Sequence, residues 1–151
     1  MPFEAYLRRG LLKRQKANFR QIERQLVRAH KDLETSRSIL GKDPEWAATI
    51  AYQSMMRAGR AIIFSRGYLP IDGAQHRSVV ELTVQILGKS FSLLTEKFEK
   101  MRRKRDLFFY ESDPFGTRTD AENSLKAASE LIKAVSEKIQ RANPQMKLNF
   151  E

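Results

Sequence analysis

Cysteine is absent from the 151 residues, which excludes disulfide staples and thiolate metal centres and suits a reducing compartment. Histidine is nearly absent too. There are only His30 and His76, with no Glu-x-x-His pair, so neither a metal centre nor a cofactor is expected. No Ser-His-Asp arrangement can be proposed from the sequence. The one glycine-rich spot, around Gly67 and Gly73, lacks the spacing and the preceding strand of a phosphate loop. Long apolar runs are missing as well. The least charged stretch, Trp46 to Phe64, carries Arg57 and Arg60 and is rich in Ala and Ser, too polar for a membrane span. The opening residues to Arg20 are basic and partly amphipathic but lack the apolar centre of a secretory signal, while a transit segment stays open as a reading. A cytoplasmic protein without a membrane partner is expected. Neither an internal repeat nor a low-complexity segment is present.

What the chain has is positive charge. The formal net charge is +10 and the isoelectric point about 10.1, and the charge is unevenly placed. Nine Lys or Arg lie between Met1 and Lys31 against Glu4 and Glu23, and six more run from Lys97 to Arg105 against Glu99. Such patches attract phosphate-bearing partners through counterion release, or an acidic protein. A solvated helix face accounts for them equally well.

The apolar pattern is helical almost throughout, within one domain of a size that buries a core. Pro2 starts a short helix whose face is Phe3, Tyr6, Leu7 and Leu11. A long helix follows, with Phe19, Ile22, Leu26, Ala29, Leu33 and Leu40 spaced by threes and fours and His30 beside the stripe. Asp43-Pro44 restarts the chain as N-cap and first helical residue, and Gly67 supplies a left-handed stop. Between them Ala47, Ala48, Ala51, Ser54, Ala58, Gly59 and Ala61 are small, the mark of a central helix that neighbours approach closely. Tyr52, Met55, Met56, Ile62 and Ile63 fill the remaining core, and Arg57 and Arg60 read as a solvated edge. A loop from Gly67 to Gly73 leads to a helix from about Gln75 to Gly88, where Val79, Val80 and Val84 make strand the competing reading. The next helix is capped by Ser90 or Ser92 and ends around Tyr110 to Ser112, ahead of Asp113-Pro114-Phe115-Gly116. The last opens on a capping box at Thr119-Asp120-Ala121-Glu122, carries Ala121, Leu125, Ala128, Ile132, Val135 and Ile139, and stops at Asn143-Pro144. The expected fold is all-α, an antiparallel up-and-down bundle of four or five helices. Its expected divisions are a short helical extension over 1–14, the bundle over 15–142 and a flexible tail over 143–151.

One position breaks the pattern. Leu94, Phe98, Met101 and Phe108 make a three-four seam, and Arg105 takes the place of an apolar residue in it. A guanidinium is never deprotonated and carries five donors, so one aimed at the buried face needs an acceptor. Either Arg105 snorkels or pairs with a carboxylate such as Asp106 or Asp113, or it looks onto a functional cleft where a phosphate or water reaches it. Phe108, Phe109 and Tyr110 follow at once, so arginines can hold a phosphate while the phenol moves a proton or stacks on a base. Residues five apart lie roughly 140° apart around a straight helix, so Arg105 and Tyr110 meet only if the helix end distorts or a second subunit completes the site.

Asp32-Leu33, Trp46-Ala47 through Tyr52, Gly67-Tyr68, His76-Arg77-Ser78-Val79-Val80 and Arg102-Arg103-Lys104-Arg105-Asp106 with Tyr110 together resemble a HEPN domain. The likeness runs from about Gln15 to Arg141, and it is carried by the order and spacing of the motifs. The resemblance implies an antiparallel bundle that dimerises across the helices bearing the arginine motif. Many such domains are metal-independent RNases acting as toxins, neutralised by a nucleotidyltransferase-like antitoxin. Their motif is an arginine, a polar residue and, after a short spacer, a histidine. Arg105 matches the arginine, Asp106 the polar residue, and Tyr110 stands where the histidine belongs. A tyrosine titrates near 10 and is a poor proton carrier at neutral pH unless strongly perturbed.

Three readings follow. In the first, RNA lies in a basic dimer groove, with Arg105, Asp106 and Tyr110 as catalytic residues and Arg102, Arg103, Lys104, His76 and Arg77 binding nucleic acid or nucleotide. In the second, the domain is a non-catalytic nucleotide- or partner-binding module. The third is a structural helical dimer with Arg105 in an inward salt bridge.

Overall fold

The computed structural model describes residues 2–71, 75–112, 116–146 and 148. The expected stop at Asp113-Pro114-Phe115, the end of the loop at Asp72-Gly73 and most of the tail after Met146 lie outside the described residues. So does the candidate pairing of Arg105 with Asp113.

Among the described residues six α-helices follow in order: α1 (Pro2–Arg8), α2 (Phe19–Ile39), α3 (Pro44–Ser65), α4 (Gln75–Leu87), α5 (Ser92–Glu111) and α6 (Arg118–Ala142). Two three-residue strands, β1 (Leu12–Arg14) and β2 (Tyr68–Pro70), pair antiparallel with Leu12 opposite Pro70. The fold is the all-α bundle that the periodicity predicts, with the small sheet as an addition.

Helix α3 is the hub. Asp43 accepts from the Trp46 amide as N-cap, Pro44 occupies the first turn, and Gly67 closes the far end at φ +87°. Its alanines at 47, 51, 58 and 61 are fully buried, and it packs against α2, α4, α5 and α6. Small side chains are what let four helices share one partner. The closest approach is at Gly59, whose missing Cβ leaves room for Val79 and Thr83 of α4.

Helix α2 lays Ile22, Leu26, Ala29 and Leu33 against α3, and Ser36 donates to the Ala47 carbonyl. Asp32 is buried in the same contact. Arg57 Nε lies 2.7 Å from one carboxylate oxygen and Arg28 Nε 3.0 Å from the other. A buried carboxylate needs such partners, and it makes Arg57 a structural ion pair rather than the solvated edge expected. The N-terminal segment joins the same core. Phe3 stacks on Tyr68 at 4.4 Å, and the Tyr6 hydroxyl donates to Glu81 at 2.9 Å. Burial first, then the Glu81 bond, push the Tyr6 phenol up to about 12.

Two expected caps sit elsewhere. Gly88 at φ +84° leads into a 3₁₀ turn, Lys89–Phe91, so α5 begins at Ser92 behind Phe91 with no side-chain cap from Ser90 or Ser92. The capping box of α6 is made by Thr117 and Asp120, not by Thr119 and Glu122. Among the described residues no helix is long and apolar enough to cross a membrane.

Candidate functional site

The short connection from α4 to α5 turns the chain back on itself, so the last turns of α5 return to the start of α4, both against α3. On α5, Arg105 occupies the seam position. Its side chain is 22 % exposed, Nη1 lies 3.2 Å from Asp106 Oδ1, and Cζ sits 4.5 Å above the Phe109 ring. Asp106 is thus its acceptor, as one of the two sequence readings held, while a cation–π contact covers its other side. Arg102 is more completely engaged. It forks onto Glu99 at 2.7 Å and reaches Asp106 at 3.4 Å, and those bonds hold the Glu99 carboxyl below the usual range.

The other predicted binding residues do not join this group. Arg103 is mostly exposed, 3.8 Å from Glu99, and Arg77 pairs with Glu81 at 3.1 Å on the solvent side of α4. Lys104 lines the groove between α5 and α6. Tyr110 is 77 % exposed at the outer end of α5, and the ring that Arg105 meets is Phe109.

His76 is different. From the first turn of α4 its Nδ1 lies 2.9 Å from the Tyr52 hydroxyl, the two rings near-parallel at 15° and 5.8 Å. Tyr52 is buried, and burial drives its phenol far above the ordinary range, so it stays protonated at every working pH. Burial also lowers His76, and the positive fields of Arg105 and Arg60 lower it further. The imidazole is therefore neutral at pH 7. With Nδ1 committed to Tyr52, a ligand or a proton must use Nε2.

Arg60, from α3, was expected at a solvated edge and is instead partly buried. Burial and the neighbouring Arg57 lower its pKa, and among the described residues no carboxylate lies within ion-pair distance of it. Three helices thus bring Tyr52, Arg60, His76, Arg102, Arg105 and Asp106 into one electrostatic group. Glu99 neutralises Arg102 and Asp106 neutralises Arg105, which leaves Arg60 as uncompensated charge. An anion here neutralises Arg60 and favours a second proton on His76. Neither Tyr52 nor Arg60 carries a local signal of this placement in the sequence. Tyr52 read as core, and its partner lies 24 residues away.

The pH dependence has a definite sign. The folded His76 pKa is below the ordinary 6.5, so in the window between them the unfolded chain holds more protons and stability falls as pH falls. His30 is lowered by burial and adds in the same direction. Inorganic phosphate in the cluster is expected to raise the folded His76 pKa while leaving that of His30 in place. Imidazole proton NMR of both residues, assigned with His30→Gln, checks this; a His76 titration unmoved by phosphate excludes anion binding at this cluster.

The architecture is that of a small all-α bundle packed on one central helix. The family model for the HEPN domain matches residues 22–139, and the chain belongs to the HEPN domain family. No match to a curated protein or to a solved structure reaches significance.

Proposed function

We propose that this protein binds RNA through the phosphate-attracting cluster of Arg60, His76 and Arg105 and cleaves it there without a metal, as the toxin of a toxin–antitoxin pair. The observation that carries the reading is the Tyr52–His76 pair. The arginine motif of α5 has Tyr110 where a histidine is expected, and α4 supplies a neutral histidine through space to the field of that same arginine. In the tautomer that carries its proton on Nδ1 and donates it to the Tyr52 oxygen, His76 presents Nε2 as a base for the 2′-hydroxyl. Arg105 then balances the charge that develops on the phosphate. The 2′-oxygen bonds to phosphorus as the bond to the 5′-oxygen breaks, and the departing oxygen takes its proton from water. The products are a 2′,3′-cyclic phosphate end and a 5′-hydroxyl end.

Two further proposals attach to this one. Two copies pair across the outward face of α5, where Leu107 and Tyr110 are exposed, which brings Tyr110 of one copy toward the cleft of the other. A nucleotidyltransferase-like antitoxin is the partner that silences the cleft.

The test is cleavage of a mixed pool of structured and single-stranded RNAs in EDTA, wild type against His76→Ala. Cleavage lost in the mutant, with cyclic phosphate ends in the wild type, is the expected result. RNA bound but never cut by either protein moves the domain to the non-catalytic binding reading, which the neutralisation of Arg102 by Glu99 and Asp106 favours.

A further inference from the structure

Beside the cationic cluster lies a group of three rings that the proposed chemistry does not use. Trp46, in the first turn of α3, meets Phe108 edge-on at 5.5 Å and Phe109 at 5.8 Å, and the two phenylalanines meet each other at 5.7 Å, all near 85°. Phe108 is the anchor, packed on Ala48 and Ala121 where α3 meets α6. Trp46 and Phe109 remain 44 % and 46 % exposed. Two large aromatics held rigidly and half in water form a patch whose burial by a partner is favourable.

The surrounding charge says what the partner is. Arg105 lies on Phe109. On the other flank a groove of about 330 Å³ between α5 and α6 is lined by Lys97, Lys100 and Lys104, one lysine per helical turn, and by Asp120, whose carboxylate is committed to the Thr117 cap. None of the three is in an ion pair among the described residues. An acidic peptide would satisfy the lysines but leave the flat rings without a flat partner. A nucleic acid duplex would satisfy the lysines but keep its bases stacked inside. A single strand satisfies both, because its backbone follows the basic groove while an unstacked base lies on a ring face.

We propose that Trp46, braced edge-on by Phe109, stacks an unpaired base of single-stranded RNA, with the adjoining phosphates led to Arg105, which lies on the Phe109 ring, on one side and along Lys97, Lys100 and Lys104 on the other. This rests on the RNA reading above and adds to it the substrate class, single-stranded rather than duplex, and the residues that select it.

Trp46 is the only tryptophan in the chain, so intrinsic fluorescence reports on the platform directly. The 151-residue protein is titrated with a 12-nucleotide oligoadenylate, with an RNA duplex of the same length and with inorganic phosphate. The single strand is expected to quench Trp46, and the duplex and phosphate to leave it unchanged. In parallel, anisotropy of a labelled 12-mer is expected to show about ten-fold weaker binding by Trp46→Ala and by Phe109→Ala, with the salt slope unchanged, because a base contact and no phosphate contact is lost. Trp46→Phe retains most of the affinity and guards against a folding defect in the alanine variant. If wild type and Trp46→Ala bind the strand equally, the platform is overturned while RNA binding stands. If the wild type binds no RNA at all, the functional reading falls and the platform with it. If Trp46→Ala turns a dimer into a monomer, the rings are an interface between copies and the inference is wrong.

Discussion

Arg105→Ala is expected to weaken RNA binding by roughly 10- to 100-fold, the cost of removing a charge-assisted phosphate contact, and to abolish cleavage. The helical content stays the same. Among the described residues Arg105 is held by Asp106 and by the face of Phe109, with its side chain 22 % exposed. A partly exposed ion pair and a cation–π contact each contribute about 1 kcal/mol or less, a small part of the total of roughly 5–15 kcal/mol for a domain of this kind. The salt dependence of binding becomes shallower by about one phosphate contact. Circular dichroism alongside anisotropy separates the outcomes. If Arg105→Ala unfolds the chain, its role is the inward salt bridge, and the site has to be sought without it.

How far such a site is legible in a sequence depends on the distance between its parts. The helices were readable because their signals are local. Asp43-Pro44 starts α3, Gly67 stops it, and the three-four spacing of Ile22, Leu26, Ala29 and Leu33 needs no partner to be seen. The capping box of α6 was misplaced for a reason just as local. Thr-Arg-Thr-Asp-Ala-Glu offers two hydroxyls, each three residues before a carboxylate, and the structure uses the first, Thr117 with Asp120. The β1–β2 pair joins residues nearly sixty apart in three-residue strands, too short for alternation to register. Arg105 announced itself by interrupting an apolar seam. His76 was readable as a binding candidate, but its place beside Arg105 was not, because it comes from another helix and the link runs through Tyr52, a residue whose burial looked like the whole of its purpose. Arg57 and Arg60 looked alike in sequence. Asp32 separates them, since it pairs with Arg57 and with no other α3 residue.

The same dependence on helix placement gives the largest expected effect on stability. Gly59→Ala puts a Cβ 2.7 Å from Val79 Cγ1 and 2.8 Å from Thr83 Oγ1. Neither neighbour is the far end of a flexible chain. Both are branches at Cβ, and the Thr83 hydroxyl is further pinned by its bond to the Val79 carbonyl at 2.7 Å. Side-chain rotation cannot relieve the contact, so α4 has to move away from α3. Overpacking of this kind costs about 1–3 kcal/mol, partly offset by the roughly 1 kcal/mol that alanine gains over glycine within a helix. Thermal unfolding is expected to shift down by about 2–8 °C. The second readout is at His76, which precedes Val79 on α4 by one turn and reaches Tyr52 across the same helix–helix contact. As α4 withdraws, the Tyr52–His76 bond lengthens, so the His76 titration changes and RNA cleavage falls in a variant that touches no ligand-binding group. An unchanged melting temperature together with an unchanged His76 titration would show that α4 absorbs the methyl locally. The spacing of α3 and α4 would then not be what holds the histidine in the field of Arg105.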